Sequence, residues 1–276
     1  MWTRAELKSL AWSSLKGNYW KAFLIGLVLS LASGSGSSGS SGRAGDSAYE
    51  YISNNSDMLI ILFAIIILSI AYRILLGYSL EVGSRKYFLQ LSQYKNTDGC
   101  YSFAFDSANY KGIIATMLLR GIYGFLWSLL LIIPGIIKAY SYRMVPYIIA
   151  DNPNIGADEA ITLSRKMMDG NKLDSFVLDL SFLGWVILGF LALGVGVFFV
   201  NPYIFATEAQ LYIVLRRNAI DSGLCTYEDL NLRRELNDND LDDLNNYNNH
   251  SNYNRNKSDE DYLKKNDEDY FKHDDK

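Results

Sequence analysis

The sequence predicts an all-α fold, a polytopic membrane helical bundle of about six spans arranged as three hairpins with cytoplasmic amphipathic helices. Three observations predict it. Residues 58–80 and 176–200 are runs of 23 and 25 residues carrying one charged side chain each, Arg73 and Asp179, where a helix needs about 20 apolar residues to cross a bilayer. A third apolar stretch, 112–150, is 39 residues long and is interrupted at its centre by Pro134-Gly135. The lysines and arginines between these stretches fall in alternate loops, as they do when one side of the bundle is cytoplasmic.

Taken in order, the chain opens on an amphipathic helix in which Leu7, Leu10, Ala11 and Leu15 recur at helical spacing, the pattern of a helix lying on a membrane. Gly17 stops it in the left-handed cap position and Asn18 caps the helix that enters the bilayer. That first crossing is 22–31, extended by 19–21 and 32–34. A basic stretch, ten apolar residues and Ala32-Ser33-Gly34 also have the three parts of a secretory signal; the long patterned region before them favours a retained span. The Gly/Ser loop, 33–57, follows as a flexible linker. Its Gly34, Gly36 and Gly39 satisfy G-x-G-x-x-G, but no strand precedes them and no helix start follows to hold a pyrophosphate. Asn54-Asn55-Ser56 is a formal glycosylation sequon with the standing of a chance match.

The second span is 58–80. In the 39-residue stretch, 112–133 ascends and 136–150 descends, with Pro134 and Gly135 turning the chain because proline removes a backbone donor and glycine permits reversal. Gly170 and Asn171 repeat the stop and cap before the fifth span, and Asn201-Pro202 repeats the turn before a sixth, 203–215, that ends at Arg216-Arg217. Gly184, Gly189, Gly194 and Gly196 stud the fifth span, and Ala192 and Gly196 are four apart, a spacing that lets helices approach closely within one molecule. At an offset of 153, Glu6/Glu159, Leu10/Leu163, Gly17/Gly170, Asn18/Asn171, Phe23/Phe176 and Leu27/Leu180 are identical. One unit is therefore surface helix, cap and span, with a weaker third copy at Asn109-Tyr110-Lys111. Duplication and shared membrane-entry chemistry both account for the match.

With six spans, Arg4, Lys8, Lys16, Lys21, Arg85, Lys86, Lys95, Lys111, Arg165, Lys166, Lys172, Arg216 and Arg217 all face one side, which places both termini in the cytoplasm. Five spans, with Pro134 a kink in one tilted helix, would put Arg165, Lys166 and Lys172 outside.

The strings WSLLLIIPGIIKAYSYRMVPYIIADNP from Trp127, EAITLSRKMMDGNKLDSFVLDLSFLGW from Glu159 and NPYIFATEAQLY from Asn201 resemble the bacterial integral membrane family known as domain of unknown function 975. The resemblance runs from about Arg4 to Arg217. A more distant likeness is to the membrane domain of some glycerophosphodiester phosphodiesterases. The resemblance implies a multi-helix bundle in a bacterial cytoplasmic membrane and implies no activity.

Residues 1–219 form the expected bundle, and 220–276 an acidic, Asn-rich cytoplasmic tail. The tail holds 16 acids against 8 bases, the body 14 against 18, and with little aliphatic content the tail is expected to be largely disordered. Its Asp238, Asp240 and Asp242 begin like a calcium loop, but Asp243 stands where glycine is needed and Asn249 where a bidentate glutamate is needed. Two cysteines build no disulfide scaffold, and His250 and His273 have no ligand spacing. No metal, cofactor or nucleic acid is expected. Arg73 and Arg120 fall near span ends and can snorkel. Lys138, Arg143, Asp179 and Glu208 lie deep, as structural ion pairs or as a polar pathway. Depth counting pairs Arg143 with Asp179 near mid-membrane and Lys138 with Glu208 nearer the outer face. The expected role is a non-catalytic module that organises membrane lipid, or a protein partner through its surface helices or tail; the alternative is a permease or channel using the buried charges.

Overall fold

The computed structural model describes residues 2–33, 56–130, 132–191 and 196–232, and among them the chain consists of helices and turns without a strand. The all-α expectation holds. The Gly/Ser loop from Gly34, Ala192, Gly194, the calcium-like string and the tail from Arg233 lie outside the described residues.

The elements are α1 (Arg4–Leu15), α2 (Tyr19–Ala32), α3 (Ser56–Tyr72), a π-helical turn (Arg73–Gly77), α4 (Tyr78–Ser92), α5 (Cys100–Phe105), α6 (Ser107–Leu130), α7 (Ile132–Ser141), α8 (Val145–Asp151), α9 (Ala157–Met167), α10 (Lys172–Leu180), α11 (Leu183–Leu191) and α12 (Gly196–Asp221). Among the described residues four runs are long and apolar enough to cross a membrane: Ile60–Ser92, Ser107–Leu130, Lys172–Leu191 and Gly196–Asp221. Two of the six expected crossings are short. With 14 and 10 residues, α2 and α7 are about 21 and 15 Å long at 1.5 Å per residue, against a hydrocarbon core of about 30 Å. From Tyr19 to Ser30 the partners of α2 on α12 stay between Phe199 and Phe205, so α2 crosses α12 instead of running along it.

One long helix joins two environments. From Ile60 to Ile70 it is apolar and exposed on every side, the surface that a lipid-facing span presents. Below the π turn, Ser79, Val82, Ser84 and Phe88 of α4 are fully buried. They meet α1 and α8 in a core that includes Leu7, Ile148 and Tyr212. In α1, Leu7, Ala11 and Leu15 face this core as the spacing requires, while Leu10 turns outward and is 41 % exposed. The first helix therefore packs on α12 and α4 and does not lie free on a surface.

Both expected turns shift towards the N-terminus. The chain does reverse after α6: a Cβ on Gly135 would meet the Ser128 Cα at 3.1 Å, and the Lys138 ammonium sits 4.6 Å from the Trp127 ring. Helix α6 ends at Leu130 and α7 begins at Ile132, so Pro134 occupies the first turn of α7, where its missing N–H would have had no helical acceptor. Helix α11 ends at Leu191 and α12 begins at Gly196, so the second hairpin comes before Pro202, which is inside the unbroken helix α12. Gly189 and Gly196 make that hairpin possible. A Cβ on Gly189 would stand 2.7 Å from the Val197 nitrogen, and one on Gly196 2.7 Å from the Gly189 Cα. Asn201 and Pro202 instead dock α2: the Asn201 amide donates to the Ser30 hydroxyl at 2.9 Å, and Pro202 lies against Gly26.

The repeated stop is real in backbone terms, since Gly17 and Gly170 have φ of +83° and +74°. Their partners differ from expectation. Asn18 and Asn171 occupy the N-cap positions but neither side chain caps its helix; Asn171 donates back to the Met167 and Asp169 carbonyls and accepts from the Trp2 indole. The third unit is capped by Asp106, whose carboxylate receives the Ala108 amide, and Asn109 lies already inside α6. The packed unit also continues past the expected boundary at Ala219, because Cys225 and Leu230 are buried in the core and Leu232 packs against it.

Candidate functional site

The geometry of the site begins with a helix break. Pro146 has no N–H to offer the Tyr142 carbonyl, so the helix stops at Ser141 and restarts at Val145. Ser164 of α9 closes the gap, accepting from the Met144 amide at 3.2 Å and donating to the Ser141 carbonyl at 2.8 Å. Arg143 stands in this break. Its guanidinium donates to both Asp179 oxygens at 2.8 Å each and to Glu208 at 2.6 Å. Arg85 of α4 pairs with the other Glu208 oxygen and donates to the Tyr147 hydroxyl at 2.9 Å. Tyr140 donates to Asp179 at 2.8 Å. Two arginines and two acids, from three helices and one helix break, thus form one neutral, continuous layer.

A second group lies further along α4. Glu81, almost fully buried, accepts from Arg73 at 2.9 Å and from Arg120 of α6 at 3.3 Å. Two guanidiniums on one carboxylate leave one positive charge uncompensated. Arg73, Gly77, Glu81 and Arg85 are spaced four apart, and a four-residue step drifts about 40° around an α-helix. The π turn from Arg73 to Gly77 has more residues per turn and offsets part of that drift. A Cβ on Gly77 would meet the Arg73 Cδ at 3.1 Å, while the Ala32 carbonyl oxygen at the end of α2 would lie at an ordinary contact distance of 3.5 Å.

Both groups line one cavity of about 760 Å³. Its remaining wall is largely apolar and includes Phe182, Leu183, Val186, Val197, Ile204 and Phe205. Along α12 it runs from Val197 to Glu208, about 16 Å at the helical rise. It ends there. Immediately beyond the charged layer, Tyr147 and Tyr212 stack at 5.2 Å and 17°, and Met144, Ile148, Leu211 and Phe88 are fully buried. The next polar group, Asp151 with Arg216 at 2.8 Å and the Tyr212 hydroxyl at 2.7 Å, lies behind that packed layer and does not line the cavity.

Of the four deep charges expected from sequence, Arg143, Asp179 and Glu208 come together, and Arg143 with Asp179 is the pair that depth counting anticipates. Lys138 with Glu208 is not formed. The second turn precedes Pro202, so Glu208 lies about 18 Å into α12, counted from Gly196, level with Arg143 instead of Lys138. Lys138 rests on the Trp127 ring. Arg73 and Arg120 do not snorkel; they share Glu81. Glu81 and Arg85 are the functional residues that counting loop charges misses, and the four-residue spacing from Arg73 was the available signal. Outside the spans, burial pushes the Cys100 and Cys225 thiols up to about 11.

Residues 129–219 match the family model described as Protein of unknown function (DUF975). The matched segment carries Arg143, Asp179 and Glu208. No curated protein and no solved structure matches the chain. The comparisons do not show the more distant likeness to the phosphodiesterase membrane domain.

Proposed function

We propose, taking the match of residues 129–219 to the DUF975 family model as premise, that this chain is a non-catalytic, multi-pass membrane module that holds a membrane lipid or a protein partner instead of conducting a solute. The supporting observation is that the charged cavity is blind. A conducting path needs a polar or dewettable route through the bundle, whereas the cavity ends on a charge-neutral layer backed by Tyr147, Tyr212 and Ile148. Its place is a bacterial cytoplasmic membrane, with both termini on the cytoplasmic side, a reading that rests on the one-sided lysines and arginines. Proteoliposomes holding the purified chain should release trapped phosphate, chloride or potassium no faster than protein-free vesicles.

The permease reading keeps one observation in its favour, four guanidiniums facing a common space. A flux above background that Glu208→Gln abolishes would establish that reading in place of ours. Orientation has its own test. A cysteine replacing Ile133, which is 73 % exposed at the α6–α7 reversal, in a chain with Cys100→Ser and Cys225→Ser, should react with an impermeant maleimide in intact cells. Reaction only after lysis would overturn the orientation.

A further inference from the structure

We infer that the cavity takes the phosphate headgroup of an anionic phospholipid, with the Arg73–Glu81–Arg120 group receiving the phosphate and the apolar wall receiving the start of the acyl chains. The inference deepens the holding role proposed above and rests on it. The layer of Arg85, Arg143, Asp179 and Glu208 is internally neutral, so the formal surplus of one positive charge in the cavity belongs to the two arginines that share Glu81. An uncompensated guanidinium pair among apolar helices is costly and is relieved by an anion.

Donors are available for it. Arg120 uses one nitrogen on Glu81 and the Met117 sulfur, and among the described residues no acceptor meets its other N–H groups, while its side chain keeps 27 % exposure. Tyr78 lines the same space, and its hydroxyl has no protein hydrogen-bond partner among the described residues. A guanidinium fork and a hydroxyl suit a tetrahedral oxyanion with several acceptors better than a carboxylate, which one fork saturates. The remaining wall distinguishes a lipid from free phosphate. Phe182, Leu183, Val186, Val197 and Ile204 face the same cavity and offer a small inorganic ion nothing, whereas a headgroup attached to chains buries them. A volume of about 760 Å³ is within the range of sites that enclose most of a small organic ligand.

The test is calorimetric titration of the full chain in an uncharged detergent with three probes: dihexanoylphosphatidylglycerol, dihexanoylglycerol and inorganic phosphate. The phosphatidylglycerol should bind at least tenfold more tightly than either other probe. Arg120→Gln should remove about tenfold or more of that affinity, the scale of one charge-assisted hydrogen bond, and Arg120→Lys, which keeps the charge and loses the fork, should fall between. Lys172→Gln, whose exposed pair with Asp169 lies off the cavity, should change nothing. If Arg120→Gln does not fold, Tyr78→Phe removes one hydroxyl only and should weaken phosphatidylglycerol without affecting dihexanoylglycerol. Equal binding of dihexanoylglycerol would reduce the site to its apolar wall, and equal binding of inorganic phosphate would make it a free-anion site; either overturns the inference, as does unchanged affinity in both variants. Failure here with no ion flux refutes the ligand and leaves the holding role standing, whereas flux refutes the holding role itself.

Discussion

Arg143 is shared between Asp179 and Glu208, and that sharing makes a prediction that a simple pair would not. Replacing Arg143 with Met removes three charge-assisted hydrogen bonds and should cost about 3 to 5 kcal/mol by leaving buried carboxylate charge uncompensated. Glu208→Gln should cost a similar amount, because Glu208 is only 13 % exposed and Arg85 would keep no charged partner except the more distant Glu81. Asp179→Asn should cost less, about 1 to 2 kcal/mol, since 35 % exposure screens the loss. The double variants then separate. Arg143→Met with Asp179→Asn deletes one neutral pair and leaves Arg85 on Glu208, so it should recover half or more of the Arg143→Met loss. Arg143→Met with Glu208→Gln also preserves net charge, yet it strands Arg85 and Asp179 separately and should recover nothing. Unfolding by SDS titration in mixed micelles, followed by tryptophan fluorescence, supplies the free energies for both cycles. Greater recovery in the Glu208 cycle than in the Asp179 cycle would refute the shared-layer geometry.

Other outcomes follow from packing and burial. Gly189→Leu would drive a side chain into the Gly196–Val197 backbone and should destabilise by about 1 to 3 kcal/mol. Gly184→Ala, with nothing within 4 Å, should be neutral or gain up to about 1 kcal/mol of helix propensity in the same unfolding assay. Leu230 is fully buried, so Leu230→Ala should cost about 2 to 5 kcal/mol, and a chain ending at Asp221 should accumulate poorly beside one ending at Leu232. Thiols pushed up to about 11 are almost wholly protonated at pH 8, so maleimide should label Cys100 and Cys225 slowly, with rates rising about tenfold per pH unit until near pH 11; half-maximal labelling near pH 8.5 would contradict the burial.

Long spans were legible because composition alone reports them: 23 residues with one charge can hardly be anything but a membrane helix. The short crossing helices were less so, since α2 and α7 have the apolar character of spans without the length, and only their packing shows that α2 crosses α12. Prolines misled for a physical reason. Pro134 and Pro202 are tolerated, one in a helix's first turn and one inside a long helix packed on Gly26, whereas Pro146 breaks its helix and places Arg143. A proline's effect depends on what stands ready to satisfy the backbone groups at the break, and Ser164, which meets the Ser141 carbonyl and the Met144 amide, is not recognisable as that partner in one dimension. The Arg143–Asp179 pair was readable because both residues lie in consecutive elements at countable depth. Glu208 was not, because its depth depends on a turn that glycines, not proline, determine. Arg85 was hidden among loop bases although it sits on the buried face of α4.

The cavity is open above the charged layer and closed below it, and α12 reports on both sides. In a chain with Cys100→Ser and Cys225→Ser, single cysteines at Val197, Ile204, Leu211 and Leu215 should be treated with a small charged methanethiosulfonate from each side of the membrane in turn. Val197 and Ile204, which line the cavity, should react. Leu211 and Leu215, both buried in the packed core, should not react from either side. Reaction at Leu211 from the side that labels Val197 would mean water passes the Arg143–Glu208 layer, and the blind cavity would have to give way to a conducting path.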